Sequence, residues 1–149
     1  MKKFLLLLLV LFVVSCSKDA EPIEDTLTTT VSSASGNSYA ISVSASNSSD
    51  YTLSGKDKNG SVSGNDPVLN FNVGDEVTFS VSAAGHPFYL KTVAGTGTGN
   101  QISGVTNNGR SSGSVVWTPS AAGTYYYQCS LHSAMVGTIT IKTNMGDGY

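Results

Sequence analysis

This sequence predicts an all-β protein, a two-sheet sandwich of seven to eight strands joined by Greek-key connections. Three observations carry the prediction. Beyond Asn37, apolar and polar residues alternate with a period of two, the pattern of strands that bury one face. Turn-forming clusters recur between these runs, at Lys58-Asn59-Gly60, Gly64-Asn65-Asp66-Pro67, Val73-Gly74-Asp75 and Ser120-Ala121-Ala122-Gly123. Only 12% of residues are charged against 40% hydrophobic, Ser, Thr and Gly are abundant, and no stretch sustains a helical i, i+3, i+4 period. A length of 149 residues suits one domain.

The amino-terminal segment reads as an export signal. Lys2 and Lys3 precede an apolar run from Phe4 to Val14 that is too short to span a bilayer. The run stops at Val13-Val14-Ser15-Cys16, which is similar to a bacterial lipobox, so residues 1–15 are expected to be a lipoprotein signal peptide and Cys16 a lipidated amino terminus. Acyl chains there would tether the protein to a membrane, placing it in the bacterial cell envelope, at the outer membrane, on its periplasmic or surface face. The rest of 16–36 is polar and unpatterned, the composition of a flexible tether.

The domain expected over 37–143 then follows strand by strand. Tyr39, Ile41 and Val43 alternate with small polar residues, as do Leu69, Phe71 and Val73, and then Val77, Phe79 and Val81. Further strands are expected near 88–93, 114–118, 123–129 and 136–142, with 144–149 as a tail. The Gly-, Thr- and Asn-rich stretch 94–113 has no period and reads as a loop crossing between sheets. From Asn37 onward there are five basic and six acidic residues. So balanced a surface argues against nucleic acid as a partner and against strong electrostatic steering. The domain is expected to be monomeric.

One segment carries chemistry. In Tyr125-Tyr-Tyr-Gln-Cys129-Ser-Leu-His132-Ser-Ala-Met135-Val-Gly137, a thiol, an imidazole and a thioether stand at i, i+3 and i+6, where an apolar strand breaks into a short loop. Soft sulfur with borderline nitrogen selects copper over hard cations. Taken singly, Cys129 would read as a small buried hydrophobe, His132 as a loop histidine and Met135 as core packing. The conjunction argues otherwise, because the one other histidine, His86, also closes a strand, in Gly85-His86-Pro87-Phe88. With Cys16 acylated, Cys129 has no disulfide partner, a liability in an oxidising compartment unless something occupies the thiol.

These residues resemble those of the cupredoxin family, the blue copper proteins such as plastocyanin, amicyanin and pseudoazurin. The short spacing from His132 to Met135 is most similar to the loops of the last two. The resemblance implies one mononuclear type 1 copper site, held by His86, Cys129 and His132 with Met135 as a long axial ligand. It also implies one-electron transport between unidentified redox partners, leaving through the His132 edge beside Leu131. Copper delivery without electron transfer, or a metal-free scaffold module, are the alternatives. No enzyme activity is expected, since oxidases and reductases of this kind need further histidines and the chain has two.

Three positions depart from the family. Pro87 stands where plastocyanin-like members carry Asn, so it cannot donate a backbone N–H to the cysteine sulfur. Leu131 replaces a common loop proline, making the loop less stiff. Gln128 precedes the cysteine where plastocyanins have Tyr. Strand alternation puts Tyr125, Tyr127 and Cys129 on the core face and Thr124, Tyr126 and Gln128 on the other.

Overall fold

The computed structural model describes residues 36–144. The expected signal peptide 1–15, Cys16, nearly all of the tether 16–36 and most of the tail 144–149 lie outside the described residues. Within them the chain forms nine strands: β1 (Ser38–Ser44), β2 (Thr52–Asp57), β3 (Gly60–Asn65), β4 (Leu69–Asn72), β5 (Glu76–Ser82), β6 (Phe88–Lys91), β7 (Ser112–Trp117), β8 (Gly123–Cys129) and β9 (Val136–Lys142). They make a five-stranded sheet ordered β3-β2-β1-β5-β7 and a four-stranded sheet ordered β4-β9-β8-β6. Every connection from β3 through β8 changes sheet, so the two layers are interlocked by the chain path. Both sheets are mixed, with β1 parallel to β5 and β4 parallel to β9.

The all-β sandwich is thus as expected, but the strand number is nine rather than seven to eight. The difference lies in the β2–β3 hairpin, where Thr52–Asp57 pairs with Gly60–Asn65 around the turn at Lys58-Asn59. Each arm sends few apolar side chains inward, chiefly Leu53 from one and Val62 from the other, too sparse a signal for period-two reading. Residues 94–111 are irregular, with isolated bridges that tie Lys91 to Gln101, Phe88 to Arg110 and Thr106 to Val116, whereas Ser112 and Gly113, expected in the same loop, open β7 by pairing with β5.

Alternation explains the core. Val77, Phe79 and Val81 of β5 are buried, as are Ile41 and Val43 of β1 beside them in register. From the other sheet Leu69 and Phe71 lie opposite Ile139 and Ile141, and all four are buried. Tyr39 is only half-buried and tilts against Phe71, with ring centroids 5.1 Å apart. Gly137 is paired with Tyr127 across β8 and β9. A Cβ at Gly137 would collide with the Tyr127 ring, so a glycine is needed for the close approach. Asp75, fully buried, closes the turn between β4 and β5 by accepting the Asn72 N–H at 2.7 Å and the Asn37 N–H at 2.9 Å.

Candidate metal centre

Strand register brings the predicted site residues to one end of the sandwich. β6 pairs antiparallel with β8 such that Phe88 faces Cys129, which sets the residues just before β6 beside those just after β8. The Ser130 N–H donates to the Pro87 carbonyl at 3.3 Å across this junction. His86 is reached by a tight turn in which its N–H donates to the Ala83 carbonyl at 2.9 Å. Gly85 within that turn has φ 80°, a conformation in which a side chain is strained.

Three side chains converge. His86 Nδ1 lies 3.2 Å from His132 Nδ1, and Cys129 Sγ lies 3.5 Å from the same His132 nitrogen. The ligand atoms of all three fall within 4.8 Å of one another, the one such group among the described residues. Cys129 is fully buried and unpaired, whereas both histidines are half-buried. A ring nitrogen offers either one proton or one lone pair, so His132 Nδ1 cannot satisfy both neighbours by separate hydrogen bonds. A single cation between the three atoms can. Tetrahedral bonds of about 2.0 Å to nitrogen and about 2.3 Å to sulfur would set N–N and N–S separations of about 3.3 and about 3.5 Å, matching the two separations that His132 Nδ1 makes with His86 and Cys129. The donor set therefore fits a soft or borderline transition metal.

Met135 is fully buried at the end of the same loop, and its carbonyl accepts the Cys129 N–H at 3.0 Å. Leu131 is 63% exposed. Its N–H donates to Cys129 Sγ at 3.4 Å. With proline at 87 the sulfur cannot receive a bond from that position, and the non-proline at 131 supplies one from the loop instead.

Two further residues shape the site, one that the sequence pattern does not single out and one that strand alternation alone would place away from it. Tyr51 is fully buried, and its hydroxyl is shared between the carbonyls of His86 and Pro87, each at 3.0 Å. Burial pushes its phenol well above the usual range, and the neighbouring Cys129 adds to the shift. Tyr51 lies 35 residues before His86 and outside every strand, so no periodicity or motif points to it. Gln128 is the other. Its face, opposite that of Cys129, is covered here, leaving it only 1% exposed, because the ligand loop folds back over it.

Behind Tyr51, Asp66 and Tyr51 exchange backbone contacts. The Asp66 carboxylate accepts the Tyr51 N–H at 3.1 Å, and the Asp66 N–H donates to the Tyr51 carbonyl at 2.8 Å. Burial pushes the Asp66 carboxyl up from 3.8 to about 6, with Asp50 adding to the rise against the lowering by the Tyr51 and Val136 N–H groups. A carboxyl with a raised folded-state pKa contributes stability that is present below the unfolded value and lost as pH rises through the folded one. Asp66→Asn keeps an oxygen acceptor for the Tyr51 N–H and removes the charge. It is expected to raise the thermal midpoint modestly at pH 7.5, the half-exposed position limiting the gain, and to give no gain at pH 4. Melting curves at the two pH values check this.

No family model matches the chain, and neither does any curated protein sequence. Among solved structures the chain is similar to the copper protein rusticyanin, with 24% identity and a TM-score of 0.45 over 72% of this chain and 80% of that one. A second rusticyanin structure, from Thiobacillus ferrooxidans, gives 23% identity and a TM-score of 0.44 over 72% and 79%. A purple cupredoxin from Nitrosopumilus maritimus gives 21% identity and a TM-score of 0.42 over 69% and 98%.

Proposed function

We propose that this chain is a cupredoxin that binds one copper ion in a type 1 site and carries single electrons at the bacterial cell envelope. The observation that carries the reading is the convergence of the His86, Cys129 and His132 ligand atoms at one end of the sandwich. A thiolate with two imidazoles selects copper over oxygen-loving cations, and a thioether donor at Met135 completes the blue-copper set. When bound, the ion supplies reversible one-electron chemistry between Cu(II) and Cu(I).

The residues do the rest. Cys129 would coordinate as the thiolate, and the Leu131 N–H to its sulfur moderates the electron density that the thiolate donates. A ligand group mounted on two strand ends has little freedom to rearrange between oxidation states. His132, half-buried beside the exposed Leu131, is the proposed electron port. Val93, 55% exposed, sits on the adjoining loop, which is joined to the ligand loop by the Gly97 N–H to the Ser130 carbonyl at 2.7 Å. A redox partner would therefore meet an apolar contact surface. Cys16, as the lipid attachment point, would hold the carrier at the membrane.

Titration of the metal-free protein with Cu(II) tests the reading. One equivalent should produce an intense visible thiolate-to-Cu(II) charge-transfer band that bleaches and returns over a one-electron reduction and reoxidation cycle. A colourless copper complex would overturn the type 1 assignment, and a coloured one that cannot be cycled would overturn the carrier role.

A further inference from the structure

We infer that Gln128 is a positioning residue that sets the shape of the metal-ligand loop. The inference rests on the ligand assignment above for its consequences, but its geometry stands apart from any metal. Gln128 Nε2 lies 3.0 Å from the His132 carbonyl, 3.0 Å from the Met135 carbonyl and 3.5 Å from the Ser133 carbonyl. A primary amide nitrogen has two protons. Two of these carbonyls are therefore satisfied at good length, and the third lies at the outer limit of a hydrogen bond.

This arrangement replaces a missing constraint. Loop residues 130–135 contain no proline, so the backbone alone does not stiffen them. Their other described backbone hydrogen bonds are the Cys129 N–H to the Met135 carbonyl, the Ser130 N–H to the Pro87 carbonyl, the Leu131 N–H to the Cys129 sulfur, the Gly97 N–H to the Ser130 carbonyl and the Val136 N–H to the Ala134 carbonyl. The Met135 carbonyl accepts from both the Cys129 N–H and Gln128 Nε2. The carbonyls of His132 and Met135 thus turn inward onto one side chain. Without the Gln128 amide each would lose one hydrogen bond, the Met135 carbonyl keeping only that from the Cys129 N–H, in a site where Met135 and Gln128 are almost wholly removed from water.

Gln128 immediately precedes Cys129 on β8. The thiolate position and the loop that carries His132 are accordingly referenced to the same strand end. A small change in the loop would move His132 Nδ1 relative to Cys129 Sγ, the separation on which ligand geometry depends. Gln128 touches neither sulfur nor imidazole nitrogen in the described bonds, so it acts through the loop backbone.

Gln128→Met keeps the length of the side chain and removes both N–H groups. In the metal-free protein, amide hydrogen exchange should accelerate about tenfold at Cys129 and Leu131 while the amides of β1, β5 and β9 stay protected, a local opening of the size expected for a lost hydrogen bond. In the copper-loaded protein the charge-transfer band should shift and broaden. Gln128→Asn, which withdraws the same amide by one methylene, should reproduce both effects and serves if the Met variant does not fold. Unchanged loop amides, or exchange that rises equally in every strand, would overturn the inference by making Gln128 ordinary packing. Failure of the parent protein to colour with copper would instead overturn the proposed function, since the exchange measurement needs no metal.

Discussion

Cys129→Ser is expected to abolish the visible charge-transfer band and to weaken metal retention, while leaving the sandwich folded. The sulfur is the softest of the three converging donors and the one that must be an anion when it coordinates. A serine hydroxyl is a hard donor that stays protonated, so neither the intense colour nor the preference for copper survives. The fold should tolerate the exchange because the two side chains differ little in volume and a serine oxygen can still accept the Leu131 N–H that now bonds the sulfur at 3.4 Å. Visible absorption, metal content and far-ultraviolet circular dichroism of the purified variant check the three parts. A variant that remained blue would remove Cys129 from the ligand set.

The largest expected loss of stability comes from Phe79→Ala. Phe79 is fully buried in the middle of β5, opposite Ile41 on one side and Val115 on the other. Its ring lies 5.2 Å from that of Phe88, which stacks on Tyr127 at 5.6 Å and meets Tyr51 edge-on at 5.2 Å. Truncating a buried phenylalanine costs about 3–5 kcal/mol through lost transfer energy and the cavity left behind. Since a domain of this size has a total stability of about 5–15 kcal/mol, a fifth or more of it would go. Urea unfolding should show a much lower midpoint at an unchanged slope. The cavity would also adjoin Phe88, the strand partner of Cys129, so metal retention should weaken along with stability. Loss of only a few tenths of a kcal/mol would mean that the aromatic cluster is not the centre of the core.

The two positions illustrate how differently the chain discloses its parts. Phe79 is legible from local pattern, because burial of one strand face imposes a two-residue period that Val77, Phe79 and Val81 display. The spacing of Cys129, His132 and Met135 is legible for a related reason. Ligands that lie on one short loop must be close in sequence, so their chemistry appears as a motif. His86 is distant in sequence and is marked by scarcity alone, there being only two histidines. The β2–β3 hairpin leaves no such pattern, because its pairing rests on backbone hydrogen bonds and a turn, with few apolar side chains to announce it.

The all-β class, the apolar faces of most strands and the set of donor atoms are legible in the chain, since each is recorded in short-range order or in the scarcity of a residue type. How those donors are supported depends on the folded arrangement. Tyr51 reaches the carbonyls of His86 and Pro87 from a distant segment, and Gln128 is buried by a loop that folds over a face which alternation alone would leave open. Leu131 supplies the sulfur with an N–H that the proline at position 87 lacks. Each of these contacts depends on the β6–β8 register and on the path of a loop through space, and a hydrogen bond to a backbone carbonyl leaves no mark on the identity of the residue that accepts it.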